Sequence, residues 1–462
     1  MSIRNDNYDL STALHAIEGE LIESMVRNLW RHAEQVDAEQ IDFTMWQAEQ
    51  LKALEKYKRR NSDKLLWHFD FMRVEIEDQL RDAFRSGKFD QEQKIINAIK
   101  NGYKFRRKNK TENAKLDADF YEVNDRKLNA LVEETTSNIR DAGYSILRTS
   151  EDVYRSTIFN AQVYFNTGAG SLQSALTMAT VDLLSKGIQS IEYANGRRVN
   201  AQSYAEMALR TANKRAYLYG EAQKRDEWDI HTVIVTRRGV ACPKCQQYTG
   251  RVFIDDVFGS WRPTGPTKYP LISTAMAGGL YHPNCKDTHT TFFEGMDEDL
   301  IHPMTAEEKE RATEIYELQQ RQRYNERNIR KYDRLSKLSV DTAEQEKYNR
   351  FRSSWIDKHT EFIAENSDVL RRNKARERFI TVSNLPTTSN IHKTKKTSLK
   401  HKLPNGNGAG DSIEVIRSQQ ADLRDKIKAG DTSAIKDYEE LVRQEKDGQL
   451  TIDINALLNI LK

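Results

Sequence analysis

The spacing of apolar residues predicts helices over the first part of the chain. A first stripe recurs every three or four positions, which is the repeat of one helix face. It consists of Leu14, Ile17, Leu21, Met25 and Leu29. A second helix is predicted at residues 45–57, and a third at 65–84 that ends near Gly87, because glycine commonly closes helices. With a further stripe over 120–146, residues 1–150 are interpreted as an N-terminal helical region.

The apolar repeat changes near residue 230. Between Ile230 and Thr236, β-branched residues predominate, which predicts a strand, and residues 250–253 predict a second short one. Before them come a helix that closes at Gly187, a hairpin-type turn at 195–198 and an amphipathic helix at 203–225. Residues 151–300 are therefore interpreted as a central α+β domain.

Three further segments follow this central domain. Residues 301–386 read as long, highly charged helices that are too polar to be buried on all sides. Residues 387–410 contain five lysines and no acid, which is typical of a basic flexible linker, and 411–462 form a small helical C-terminal appendix. The predicted fold class is mainly α and elongated, with a small central α+β domain clipped by zinc.

Composition supports a protein with much exposed surface. Only 38% of the 462 residues are hydrophobic and 31% are charged. The 72 basic and 69 acidic residues nearly cancel, so any nucleic-acid contact must be local. The chain starts without an apolar signal segment, and no apolar run approaches the length of a membrane span. We therefore expect neither secretion by a signal peptide nor a membrane-spanning segment.

All three cysteines lie in one stretch with metal-ligand spacing. Cys242 and Cys245 form a C-x2-C pair, and His282 with Cys285 forms an H-x2-C pair. Each pair contains a proline, which favours the tight turn that points both side chains at one ion. Four protein ligands of this kind fill a zinc tetrahedron and leave no position for water. The pattern predicts a structural Zn²⁺ site that fixes the 36 residues between the pairs.

The same stretch allows two other interpretations and excludes a third. The three cysteines could be small buried hydrophobes, although two ligand-spaced pairs argue against that. His289 could replace His282 as the fourth ligand. A zinc deaminase is excluded, because its signature needs a histidine before the cysteine pair and a glutamate where Asn284 stands.

A basic cluster in the N-terminal region is a candidate nucleic-acid contact. Tyr103 and Phe105 lie within it, as in surfaces that contact a DNA backbone and bases. A solvated helix face explains the same charges with fewer assumptions. The candidate residues are Lys104, Arg106, Arg107, Lys108 and Lys110.

The middle of the chain resembles the phage minor capsid protein 2 family, which is similar in style to head-morphogenesis proteins of the phage Mu type. The most specific matches are AEMALRT (205–211), GRVF (250–253) and GGLYHPNC (278–285), within a resemblance over about residues 150–380. The cysteine and histidine ligands match Cys/His positions of that family.

That resemblance implies a minor structural protein of a tailed-phage head, located at the portal vertex or in the capsid interior. Its expected partners are the portal protein and other head proteins, with packaged double-stranded DNA as a further candidate. The expected location is the virion head, and the host cytoplasm during assembly.

The sequence is compatible with three functions. The first is a non-enzymatic virion protein, which suits a chain without a P-loop, HExxH or G-x-S-x-G motif. The second is a zinc-containing nucleic-acid-binding protein or nuclease that acts on phage DNA, for which His289 and Asn284 are a slender basis. A weaker third hypothesis is that the long charged helices bind DNA without chemistry.

Overall fold

A computed structural model describes residues 7–39, 43–104, 118–166, 172–193, 196–283, 285–381, 409–428 and 431–445. The fold is mainly helical with a few short strands, as the sequence predicted. The helices are α1 (Asn7–Glu39), α2 (Phe43–Lys100), α3 (Ala118–Asn166), α4 (Leu172–Lys186), α5 (Ala201–Glu227), α6 (Ile272–Ala277), α7 (Ala306–Leu338), α8 (Thr342–Glu365), α9 (Ala409–Lys428) and a terminal helix at 435–445. The strands are β1 (Ile191–Glu192), β2 (Arg198–Val199), β3 (Thr232–Val235), β4 (Val252–Ile254) and β5 (His289–Thr291).

The second and third predicted helices are one continuous helix, α2, and the predicted end near Gly87 is wrong. Gly87 is instead a crossing point, because a Cβ there would overlap the carbonyl oxygen of Tyr217 on α5. The relation is reciprocal, since a Cβ on Gly220 of α5 would overlap the carbonyl oxygen of Phe84 on α2. The two glycines allow the helix backbones to approach more closely than any side chain permits.

Gly220→Ala is expected to lower the free energy of unfolding by about 1–3 kcal/mol, because the added methyl group forces α2 and α5 apart. Gly265→Ala is the matched control, since nothing lies within 4 Å of a Cβ at that exposed glycine. Urea unfolding of both variants measures the difference. Equal stability of the two would contradict the close crossing.

The main core lies between the N-terminal helices and the first half of α5. Apolar stripes of α1, α2, α3 and α4 meet there, and Leu335 of α7 and Tyr348 of α8 complete it. α3 continues through residue 150, so the predicted N-terminal and central regions share one helix. The reason is a buried stripe that continues past residue 150, with Ile146, Tyr154 and Ile158 on it.

A small antiparallel sheet follows α5 and positions the cysteine-rich stretch. β3 is its central strand, paired with β4 on one side and β5 on the other. Val233 of β3 pairs with Phe253 of β4 on one side and with Thr291 of β5 on the other. The strands predicted around 230–236 and 250–253 are therefore present, and a short hairpin pairs β1 with β2. The metal-ligand pairs lie in the segments that connect these strands.

The C-terminal residues pack back on the N-terminal half of the chain. Tyr438 of the terminal helix makes an edge contact with the buried Trp228, 5.4 Å between ring centroids. Ile427 of α9 belongs to the same apolar cluster as Ile95 and Ile99 of α2. The predicted linker at 387–410 and the end of the appendix after residue 445 lie outside the described residues, except for the first two residues of α9.

An ion network accompanies this apolar contact. Glu227 at the end of α5 pairs with Lys224 at 3.0 Å and with Arg424 of α9 at 2.8 Å. Lys224 also pairs with Glu92 of α2 at 3.1 Å. All four side chains are at most 5% exposed, so the C-terminal segment and the two long helices are joined by buried charges.

Within the described residues, none of the helices is both long and apolar enough to cross a membrane.

Candidate metal centre

Two tight turns present the predicted ligands to each other. Cys242 and Cys245 lie in the turn after β3, where the N–H of Cys245 donates to the carbonyl of Cys242 at 2.9 Å. His282 and Cys285 repeat this arrangement before β5, where the N–H of Cys285 donates to the carbonyl of His282 at 2.9 Å. Because β3 pairs with β5, the sheet holds the two turns side by side.

The ligand atoms of the two turns are in contact. The Sγ of Cys242 lies 2.9 Å from Nε2 of His282, and the Sγ of Cys245 lies 3.4 Å from that of Cys285. Cys242, Cys245 and His282 have ligand atoms within 4.8 Å of one another, and Cys245 forms a second such group with Cys285 and Asp287. Cys245, which belongs to both groups, is fully buried between them.

The types of donor atom suit a zinc ion, but the four predicted ligands do not form a single group, because Cys285 lies within 4.8 Å of Cys245 and Asp287 and not of both Cys242 and His282. Zinc bonds of about 2.3 Å to sulfur and 2.0–2.1 Å to nitrogen place a sulfur and a nitrogen ligand roughly 3.5 Å apart and two sulfur ligands roughly 3.8 Å apart. The sulfurs of Cys245 and Cys285 at 3.4 Å, and the Sγ of Cys242 and Nε2 of His282 at 2.9 Å, are closer than that, so the ligand atoms would have to separate slightly around an ion. In addition, Nδ1 of His282 donates to the carbonyl of Pro283 at 2.8 Å. That bond fixes the tautomer in which Nε2 is free to bind a metal.

Hydrogen bonds favour ionisation of two of the three thiols, whereas hydrogen bonds with Cys242 and Cys285 raise the pKa of Cys245. Hydrogen bonds from Cys245 and His282 lower the pKa of the Cys242 thiol to about 4. The hydrogen bond from Cys245, followed by the charge of Lys214, lowers the pKa of the Cys285 thiol to about 7. Thiolates are the form in which cysteine binds zinc. Three thiolates around one Zn²⁺ would carry a net negative charge, which the Lys214 ammonium would offset.

Lys214 and Asp287 are neighbours of the site that the sequence did not indicate. The Nζ of Lys214 lies 4.0 Å from the centroid of the Tyr281 ring and has no hydrogen-bond partner among the described residues. Burial lowers the pKa of Lys214 to about 8, although Cys285, Asp287 and Cys245 oppose that shift. Asp287 lies two residues after Cys285, and this short spacing is a signal that could have indicated it. Lys214 lies on α5, far from either ligand pair in the sequence, and no nearby sequence pattern indicates that it lies beside them.

His289 belongs to a separate buried network. Its side chain is 2% exposed, with Nε2 facing Arg225 at 3.5 Å and Nδ1 facing the Tyr281 hydroxyl at 2.7 Å. Because arginine only donates, Nε2 is the acceptor and Nδ1 carries the proton. Burial and the charge of Arg225 lower the pKa of His289 to about 3. The geometry therefore favours His282 over His289 as the fourth ligand.

The predicted basic cluster is described only in part. Lys104 is exposed just after the end of α2. The other four candidates lie outside the described residues, so the cluster stays a prediction. They are Arg106, Arg107, Lys108 and Lys110.

Comparisons with known proteins place the chain in a family. No curated protein and no solved structure matched it. One family model did, described as Phage minor capsid protein 2, and it matches residues 5–364. That range includes most of the chain, with the sheet and both ligand pairs inside it. The chain therefore belongs to the phage minor capsid protein 2 family.

Proposed function

We propose that this protein is a minor structural component of a tailed-phage head and acts in head assembly without catalysis. The observation that carries this proposal is the family match over residues 5–364. We place it at the portal vertex or in the capsid interior, with the portal protein and other head proteins as partners. Assembly in the host cytoplasm, before the virion is complete, belongs to the same proposal.

We also propose that Cys242, Cys245, His282 and Cys285 hold a structural Zn²⁺ ion. Two hydrogen-bonded turns, sulfur and nitrogen atoms in contact, and a histidine held in the metal-binding tautomer support it. Such an ion would link the loop after β3 to the segment before β5. It would supply rigidity to a connection that contains only β4 and the six-residue α6.

A nuclease is the competing function, and the structure gives its histidine an unfavourable place. A catalytic histidine has to reach substrate, whereas His289 is buried and held between Tyr281 and Arg225. Incubation of the purified protein with duplex DNA and Mg²⁺ is therefore expected to give no cleavage. Cleavage that disappears in His289→Ala would favour the nuclease.

Mass spectrometry of purified virions tests the structural role. We expect this chain in filled particles, in fewer copies than the major capsid protein, and in complex with the portal protein after mild disruption. Comparison of particles before and after DNA ejection shows whether it remains in the head. Its complete absence from filled particles, while the portal protein is detected, would refute the proposal.

A further inference from the structure

The charges of α7 are divided between its two halves. Residues 306–317 contain five glutamates against two basic residues. Residues 318–331 contain five basic residues against one glutamate, Glu326, which is 5% exposed and so contributes little to the surface. The first half of the helix therefore carries a net negative charge and the second half a net positive charge. A helix of this kind complements a second copy of itself that runs in the opposite direction.

One side of α7 carries this division along its length. Four positions on it recur every seven residues, which places them on the same side of the helix over about 30 Å. They are Glu310, Glu317, Tyr324 and Lys331. Arg327 extends the row, because its guanidinium lies 6.0 Å from the centroid of the Tyr324 ring. We call these five residues the α7 stripe.

The charges of the α7 stripe are accessible and not neutralised by the rest of the described chain. None of its four charged members forms an ion pair there, whereas Arg311 of the same helix pairs with both Glu314 and Asp368 at 3.2 Å. Lys331 is half-buried and the other members are exposed. A second molecule can therefore reach the stripe and supply the opposite charges.

Aromatic rings form an exposed apolar surface close to the middle of the α7 stripe. Tyr324 is 52% exposed and lies 5.8 Å from Trp355 of α8, measured between ring centroids. Phe351, one helical turn before Trp355, is 45% exposed and lies 5.5 Å from the ring of Tyr332. Neighbouring aromatic side chains that are this exposed are typical of the centre of a protein interface.

We propose that two copies of this chain pair through α7, antiparallel about a two-fold axis between Glu317 and Tyr324. In this arrangement Glu310 of each copy lies opposite Lys331 of the other. Glu317 of each copy lies opposite Tyr324 and Arg327 of the other. The exposed rings flank the axis and the charged pairs lie outside them, so the contact has an apolar centre and a charged rim.

The distribution of charge favours a second copy over other occupants. A polyanion such as DNA would attract the basic half of the α7 stripe, but it would be repelled by the two glutamates of the acidic half. A uniformly basic partner would meet the opposite conflict. An identical chain matches both halves at once, because the two-fold axis places each half against the other.

Sedimentation velocity of the full-length protein, over a range of protein and NaCl concentrations, tests the proposal. We expect a reversible dimer whose Kd rises with salt, because exposed ion pairs are screened. The double variant Glu310→Lys/Glu317→Lys makes the charges of the stripe wholly basic, and Arg327→Glu/Lys331→Glu makes them wholly acidic. Each double variant should raise the Kd about tenfold or more, since like charges then face each other.

An equal mixture of the two double variants distinguishes a specific contact from misfolding. The basic stripe of one variant complements the acidic stripe of the other at both ends, so a mixed dimer should form at concentrations where each variant alone is monomeric. The matched control is Arg140→Glu/Arg155→Glu, which reverses two exposed charges on α3. It should dimerise like the unchanged protein.

The aromatic centre is tested in the same way. Tyr324→Ala should raise the Kd about tenfold, because it removes a ring from the middle of the interface. Phe159→Ala should leave the Kd unchanged, although Phe159 of α3 is 60% exposed.

Four results would overturn the proposal. They are an unchanged protein that stays monomeric at low salt, an assembly of more than two copies, charge-reversed variants that dimerise as well as the unchanged protein, and a mixture that does not associate. Because these measurements use the purified protein alone, such a result leaves the proposed place in the phage head unaffected.

Discussion

Replacing Cys245 by serine is expected to remove zinc from the protein and to open residues 230–295 to proteases. Cys245 is fully buried and belongs to both groups of ligand atoms, so no neighbour can take its place. Structural zinc sites of this type contribute about 10–16 kcal/mol of binding free energy, which is also folding free energy for the segment they fix. The zinc content found by elemental analysis should fall from about one ion per chain to near zero.

The long helices are expected to stay folded in this variant, because their core lies between α1, α2, α3, α4 and α5 and not at the metal centre. Circular dichroism should therefore change little while limited proteolysis cuts the 230–295 segment. His282→Gln and His302→Gln form a matched pair, since His302 is an exposed histidine in the same region. Only the first should lose zinc. If Cys245→Ser keeps both its zinc and its protease resistance, the proposed zinc site is wrong.

Glu227→Gln is expected to lower the free energy of unfolding by about 3–5 kcal/mol. Glu227 accepts from both Lys224 and Arg424, and all three side chains are at most 5% exposed. Removing its charge leaves two buried cations with Glu92 as the nearest remaining anion for Lys224. Urea unfolding measures the loss, and faster proteolysis of α9 would report release of the C-terminal segment.

A surface pair on the same segment supplies the control. Glu439 pairs with Lys100 at 2.6 Å, but the two side chains are 27% and 47% exposed. Solvent screens such pairs, so Glu439→Gln should change the free energy of unfolding by less than about 1 kcal/mol. If the two variants are equally stable, the buried network does not hold the C-terminal segment in place.

Much of the local structure could be predicted from the sequence. The stripe from Leu14 to Leu29 is buried within α1, and the strand predicted at 230–236 contains β3. Gly187 has a φ of 64° and follows the last residue of α4, as its position in the sequence suggested. These features depend on residues a few positions apart, and such short-range patterns are what a sequence records directly.

The short range of sequence patterns also explains why the helix end predicted near Gly87 is wrong. A glycine at the end of a helical stripe predicts a helix end, because glycine readily adopts the positive φ that commonly follows a helix. In the structure, Gly87 matters because it has no side chain, so the backbone carbonyl of Tyr217 on α5 can approach it closely. Nothing near Gly87 in the sequence signals a partner 130 residues away.

The sequence by itself determined the helical stripes, two of the three strands of the small sheet and the spacing of the two ligand pairs, because each is set by local periodicity or turn chemistry. Only the tertiary structure decided which distant charges meet. The position of Lys214 beside the thiols and that of Glu227 between Lys224 and Arg424 both depend on how the helices pack. Solvated and buried charges look identical in a sequence, and only packing distinguishes them.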